Sequence, residues 1–211
     1  RLLQSKLDDG DVAIRDLVFA ETLEHTVAMM TDAFGNYLFQ KLVEHATRQQ
    51  RRDIVMAATA DAQAGEVAAS GALARAAFNL HGTRSVQKLL EVCRDDADEV
   101  EALTGALRPV IVPLSMDPNG NHVVQVCLKV LAPAQAAFVV EAVAADLAVV
   151  SRHRHGCCVV QRCMDAADDR LWSRIVEAVL TDVLSLMQDP FGNYVVQYVL
   201  QRGDARQVAA V

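Results

Sequence analysis

Asn36, Tyr37 and Gln40 stand within five residues of one another, in the stretch "FGNYLFQ". On a helix, residues four apart share a face, so Asn36 and Gln40 point the same way with Tyr37 beside them. Two amides donate and accept hydrogen bonds in one plane, and a flat ring next to them can stack on a planar ligand. Such a group suits the edge and the face of a nucleobase. The grouping recurs down the chain. Thr83, Arg84 and Gln87 form it in "HGTRSVQ", and Asn121, His122 and Gln125 in "NGNHVVQ". Cys157, Cys158 and Gln161 form it in "HGCCVVQ", and Asn193, Tyr194 and Gln197 in "FGNYVVQ". Arg1 and Gln4 fill the last two slots of a copy whose first member would precede the chain. A single Asn beside Gly also reads as a helix cap, and a single Gln as exposed filler. Neither reading explains the middle position, which is Arg, Tyr, Arg, His and Tyr in five of six copies. These residues differ in charge and size and share a flat π face, which points to stacking. Cys158 lacks that face, so stacking there is expected to be weak.

The residues must be positioned by a repeating scaffold. The motif glycines are Gly35, Gly82, Gly120, Gly156 and Gly192, separated by 47, 38, 36 and 36 residues. The long first interval holds an Ala-rich stretch, read as an insertion near 59–70 before the second helix of its unit. Each unit reads as an amphipathic segment such as "LWSRIVEAVLTDVLSLMQ", a polar break such as "DPFG", and a second apolar-periodic segment. The apolar spacing follows the helical period, and Asp-Pro and Gly mark the joint between two helices. Pairs such as Val123-Val124 and Val195-Val196 are expected in the core. A unit of this size cannot bury its apolar faces alone, so neighbours must stack into an all-α solenoid. The expected division is a truncated unit over 1–10, units over 11–47, 48–95, 96–132, 133–168 and 169–203, and the start of another over 204–211.

Composition narrows the function classes. The 211 residues are 52% hydrophobic and only 5% aromatic, with few Gly and Pro, which favours helices. The absence of an apolar run near 18 residues argues against a membrane span. The first residues are charged and amphipathic, unlike a signal peptide, and they lack an initial Met, as in a chain cut from something longer. Five cysteines, Cys93, Cys127, Cys157, Cys158 and Cys163, fit no zinc or redox pair and read as reduced, mostly buried small hydrophobes of an intracellular protein. His153 and His155 beside Cys157 and Cys158 lack the spacing of a metal site. No nucleophile motif or phosphate-cradling loop suggests an enzyme, and no cofactor is expected. The net charge of −7 argues against a general polyanion binder. Any nucleic-acid surface must be local, with Arg1, Lys6, Lys41, Arg84, Lys88, Lys129 and Arg162 as candidates for a basic stripe. Asp95, Asp96, Asp98, Asp168 and Asp169 are expected near first-helix starts, facing solvent.

"DPNGNHVVQ" and "DPFGNYVVQ" at this period resemble Pumilio (PUF) repeats, and the resemblance covers essentially the whole chain. It implies a curved right-handed superhelix that binds single-stranded RNA on its concave face, with one base per repeat. It implies that Asn36/Gln40, Asn121/Gln125 and Asn193/Gln197 read uracil. Thr83/Gln87, Cys157/Gln161 and the copy holding Gln4 are implied to read adenine. Arg1, Tyr37, Arg84, His122, Tyr194 and, weakly, Cys158 would stack. The family runs antiparallel to its RNA, giving 5′-UAUAUA-3′ within a site like UGUAUAUA, with the chain matching repeats one to six. The implied role is repression or decay of messages bound in their 3′ untranslated regions, in the cytoplasm, by a monomer with corepressors on its convex face. Two other readings stay open: a protein-binding scaffold of the armadillo or HEAT kind, and a nucleolar PUF-like ribosome-biogenesis factor binding structured RNA.

Overall fold

The computed structural model describes residues 1–63 and 71–211, so most of the expected insertion near 59–70 lies outside the described residues. The described residues are helical, with no strand among them. They form two compact units, Arg1–Val110 and Ile111–Val211.

The first unit holds α1 (Leu2–Asp8), α2 (Val12–Thr22), α3 (Thr26–Thr31), α4 (Gly35–His45), α5 (Arg48–Gln63), α6 (Ala72–Phe78), α7 (Gly82–Cys93) and α8 (Ala97–Leu107). The second holds α9 (Ile111–Met116), α10 (Gly120–Val130), α11 (Pro133–Ala145), α12 (Leu147–Val150), α13 (Gly156–Ala166), α14 (Asp169–Thr181), α15 (Val183–Gln188), α16 (Gly192–Arg202) and α17 (Ala205–Ala210). The motif glycine opens α4, α7, α10, α13 and α16.

The two-helix repeat needs correction, because the segment read as one long first helix is broken in two. A 3-10 turn over Leu23–His25 separates α2 from α3. Asp146 (φ −108, ψ 24) separates α11 from α12, and Asp182 (φ −138, ψ 31) separates α14 from α15. Asp is a poor helix former, and at these joints the backbone leaves helical values. Each repeat therefore has a first helix, a short middle helix and a motif helix. The middle helices pack on motif helices and first helices: α3 on α4 and on α5 of the next repeat, and α6 on α5, α7 and α8. Repeats stack through like elements, α1 on α4 on α7 in the first unit and α10 on α13 on α16 in the second.

Local chemistry fixes the helix starts. Asp11, Asp168 and Asp204 cap α2, α14 and α17 by accepting from backbone N–H groups of the first turn. Pro133 opens α11, where its missing N–H costs nothing. The paired valines expected inside are buried, with Val123, Val124, Val159, Val160, Val195 and Val196 all at 2% exposure or less. Burying each contributes about 1.5–3 kcal/mol. The first turn of α5 is basic, which opposes the helix dipole. The N-terminal end of α8 answers it: Arg48 meets Asp96 at 2.8 Å, Arg51 meets Glu99 at 2.6 Å and Arg52 meets Asp98 at 2.5 Å. Asp96, expected in solvent, is instead buried as the cap of α8.

Candidate nucleic-acid interface

Each motif helix starts on a side-chain cap three residues before its glycine. Asp32 Oδ1 accepts from the N–H groups of Phe34 and Gly35. Asn79 Oδ1 takes those of His81 and Gly82, Asp117 those of Asn119 and Gly120, and Asp189 those of Phe191 and Gly192. Hydrogen bonds from Gly35 and Phe34 hold the Asp32 carboxyl below its ordinary range, and those from Gly192 and Phe191 do the same for Asp189. These capping residues went unnoticed in the sequence, although "DAFG", "NLHG", "DPNG" and "DPFG" display them. In the α13 copy His153 takes the role, and its Nδ1 accepts from His155 N–H at 3.3 Å. The glycine itself permits close packing on the middle helix. A Cβ on Gly82 would lie 2.5 Å from Ala76 O, and one on Gly156 would lie 2.1 Å from Val150 O.

The next two residues divide their work. The middle residue points out: Tyr37 is 53% exposed and Tyr194 51%, and Arg1, Arg84, His122 and Cys158 are exposed as well. The residue before it turns in. Asn36, Thr83, Asn121 and Cys157 are buried, and Asn193 is half-buried. Asn36 Nδ2 donates to Asp32 O and Ala33 O, and Asn121 Nδ2 to Asp117 O and Pro118 O. Asn193 Nδ2 donates to Asp189 O. The Asn thus closes the turn that carries it, by donating to carbonyls rather than by accepting N–H groups as a helix cap would. Its Oδ1 then accepts from the Gln one turn on: Gln40 Nε2 to Asn36 at 3.1 Å, Gln125 to Asn121 and Gln197 to Asn193 at 2.9 Å each. Gln87 Nε2 makes the equivalent bond to Thr83 Oγ1 at 3.0 Å. The Gln side chains remain open to a ligand, with Gln197 exposed and Gln4, Gln40, Gln87, Gln125 and Gln161 half-buried. In the α13 copy burial pushes the Cys157 thiol up to about 11, so it stays a neutral small group.

Within each unit these triads lie on neighbouring motif helices. Gln4, Tyr37 and Gln40 line one shallow surface pocket together with Lys41, Glu44 and Lys88. Part of the expected basic stripe is neutralised. Lys41 Nζ lies 2.9 Å from Asp8 and 3.1 Å from Glu44, and Lys88 Nζ lies 2.8 Å from Glu44 and 3.2 Å from Glu91. Arg162 pairs with Asp165 at 2.7 Å. These carboxylates recur one turn after the Gln, a signal present in the sequence but visible only once the helices stack. An exposed flat or cationic group beside a fixed amide edge, repeated along adjoining helices, can receive successive bases of an unpaired strand.

Comparison with known proteins agrees with this arrangement. The family model described as Pumilio-family RNA binding repeat matches residues 25–57, 77–98, 111–144, 148–180 and 182–211. A Pumilio domain-containing protein of Schizosaccharomyces pombe, C6G9.14, is 40% identical over 75% of this chain, and the match spans 21% of its own length. Putative pumilio homolog 7 of Arabidopsis thaliana is 39% identical over 75% of the chain and 23% of its own length. The chain therefore spans about a fifth of the length of these curated relatives. Among solved structures, the Puf4 RNA-binding domain bound to an HO endonuclease RNA 3′ UTR recognition sequence superposes with a TM-score of 0.86 at 40% identity, covering 96% of this chain and 59% of that one. The RNA-binding domain of yeast Puf5p bound to MFA2 RNA gives 0.86 at 26% identity, over 100% of this chain and 57% of that one. With the family model matching well over half of its residues, the chain belongs to the Pumilio family of RNA-binding repeat proteins.

Proposed function

We propose that this chain binds single-stranded RNA in a sequence-specific manner, one base per motif helix, at A/U-rich sites in 3′ untranslated regions. The observation that carries the reading is the repeated triad: an exposed stacking residue beside a Gln whose amide is already oriented by the residue before it. Asn/Gln copies are assigned to uracil and the Thr83/Gln87 and Cys157/Gln161 copies to adenine. Antiparallel reading gives UAUAUA, and a longer protein with two more units would read UGUAUAUA. Binding would mark cytoplasmic messages for repression or decay, with protein corepressors on the face away from the motif helices and the protein itself monomeric. The solved relatives described as bound to an HO endonuclease RNA 3′ UTR recognition sequence and to MFA2 RNA support this reading. The test is fluorescence-anisotropy titration with UGUAUAUA and a series of single-base swaps. Each swap opposite an Asn/Gln copy is expected to weaken binding by roughly fivefold or more, the loss of about one base-edge hydrogen bond. Equal affinity across the series would overturn the assignment.

A further inference from the structure

The residue four positions past the recognition Gln is acidic in four copies: Asp8, Glu44, Glu91 and Asp165. In the α10 copy it is Lys129, and in the α16 copy Gln201. Within the first unit these carboxylates consume the cations between them. Lys41 pairs with Asp8 and Glu44, and Lys88 pairs with Glu44 and Glu91. The cleft between α10 and α13 has the same frame with the opposite charge balance. It measures about 220 Å³ and is lined by Gln125, Leu128, Lys129, Arg162, Asp165 and Ala166. Lys129 occupies the position that Asp8 holds beside Lys41, so Arg162, the counterpart of Lys41, shares its cleft with a second cation. Lys129 is exposed and makes no ion pair among the described residues. The one carboxylate of the cleft is divided among three donors. Asp165 meets Arg162 at 2.7 Å and Arg202 at 3.2 Å, and it accepts from the Tyr198 hydroxyl. Asp169 lies in the adjoining cleft with Arg202. Two cations over one shared carboxylate leave a positive excess at the edge of Gln125. The apolar walls of Leu128 and Ala166 strengthen its field.

We propose that Lys129 and Arg162 form a phosphate subsite in this cleft, holding the RNA linkage between the nucleotides read by Gln161 and Gln125. The proposal rests on the RNA reading above. Both side chains only donate hydrogen bonds, one as a point charge and the other as a planar fork, which suits the oxygens of a phosphodiester. A base edge mixes donors with acceptors, and two cations do not match it. The subsite therefore adds affinity without sequence preference. At the corresponding place in the first unit, Asp8 and Glu44 would repel an anion.

The experiment measures binding of UGUAUAUA against salt for the wild-type chain, Lys129→Gln, Lys129→Glu and Arg174→Gln. Arg174 is an exposed cation on α14 and controls for net charge. A second strand carries a neutral methylphosphonate between its fourth and fifth nucleotides, which face Gln161 and Gln125 in the antiparallel reading. Lys129→Gln is expected to weaken binding and to lower the salt slope by about 0.7, the value of one phosphate on a single strand. Lys129→Glu should set a carboxylate beside Arg162, as Asp8 stands beside Lys41, and lower the slope by about twice as much. Arg174→Gln should leave the slope unchanged, and no variant should alter the ranking of base-swapped strands. The neutral linkage should weaken binding by wild type but not weaken Lys129→Glu further. An unchanged slope in Lys129→Gln, an equal drop in Arg174→Gln, an altered ranking, or an equal loss from the neutral linkage in wild type and Lys129→Glu would each overturn the subsite while leaving the RNA reading standing. No binding of any single strand by the wild-type chain would overturn the RNA reading and the subsite with it.

Discussion

Residues that look alike in the motif have different duties. Asn121 is buried and holds two backbone carbonyls, whereas Gln125 is half-open and holds only the Asn. Asn121→Ala should therefore lower both stability and RNA affinity, by about 1–3 kcal/mol of unfolding free energy for the two lost side-chain hydrogen bonds, although Asp117 O keeps the backbone N–H of residue 121. Gln125→Ala should cost affinity and leave the melting temperature almost unchanged. Urea denaturation set beside RNA titration separates the two. Cys158→Arg is expected to tighten binding by up to about tenfold, because a guanidinium supplies the missing stacking plane. Binding that is unchanged or weaker in that variant would show that the α13 copy does not place a base there. The triads themselves were legible in the sequence, since identity and spacing alone expose a recurring Asn, π face and Gln. The inward turn of the Asn was not legible, because it depends on carbonyls that face it only after the loop has closed.

At the level of elements, the motif glycine and a glycine elsewhere make opposite predictions. Gly156→Ala would drive a methyl group against Val150 O, so the α12–α13 contact must open. A loss of about 1–3 kcal/mol is expected, as for other overpacked sites. Gly105 lies inside α8 with open space around it, and Gly105→Ala should add about 0.5–1 kcal/mol through its effect on the unfolded chain. Chemical denaturation of the two variants reads both signs in one experiment. The helical class and the stacking of repeats could be read from period and apolar spacing. The middle helix could not. Segments such as "QAAFVVEAVAADLAVVS" keep their apolar period across the break at Asp146, and one polar residue in such a run does not announce a change of direction. The ion-pair ladder from Asp8 through Lys41, Glu44 and Lys88 to Glu91 was hidden for a related reason. Its two links between helices, Asp8–Lys41 and Glu44–Lys88, join residues distant in sequence that meet only when repeats stack.

For the molecule as a whole, acid should act through the carboxylates that folding engages. The side-chain bond from Arg48 lowers the Asp96 pKa and that from Lys41 lowers the Asp8 pKa, while backbone N–H groups lower those of Asp32 and Asp189. A carboxylate with a depressed folded pKa stabilises above its unfolded value, near 3.8 here, and that contribution vanishes as the pH falls through the folded value. His155 acts in the same direction at a higher pH: its folded pKa lies below 6.5, so protonation favours the unfolded chain as the pH drops past that point. Thermal melts should show a shallow decline beginning below about pH 6.5 and a steep one below about pH 4. A melting temperature that rises on acidification would contradict this. The amide pairs Asn36–Gln40, Asn121–Gln125 and Asn193–Gln197 have one more consequence. Freezing a long side chain at a binding surface costs about 0.5–1.5 kcal/mol, and here much of that ordering has taken place before a strand arrives. The recognition surface is completed by folding, so a substitution that loosens a motif-helix start degrades discrimination between bases even where it never touches one.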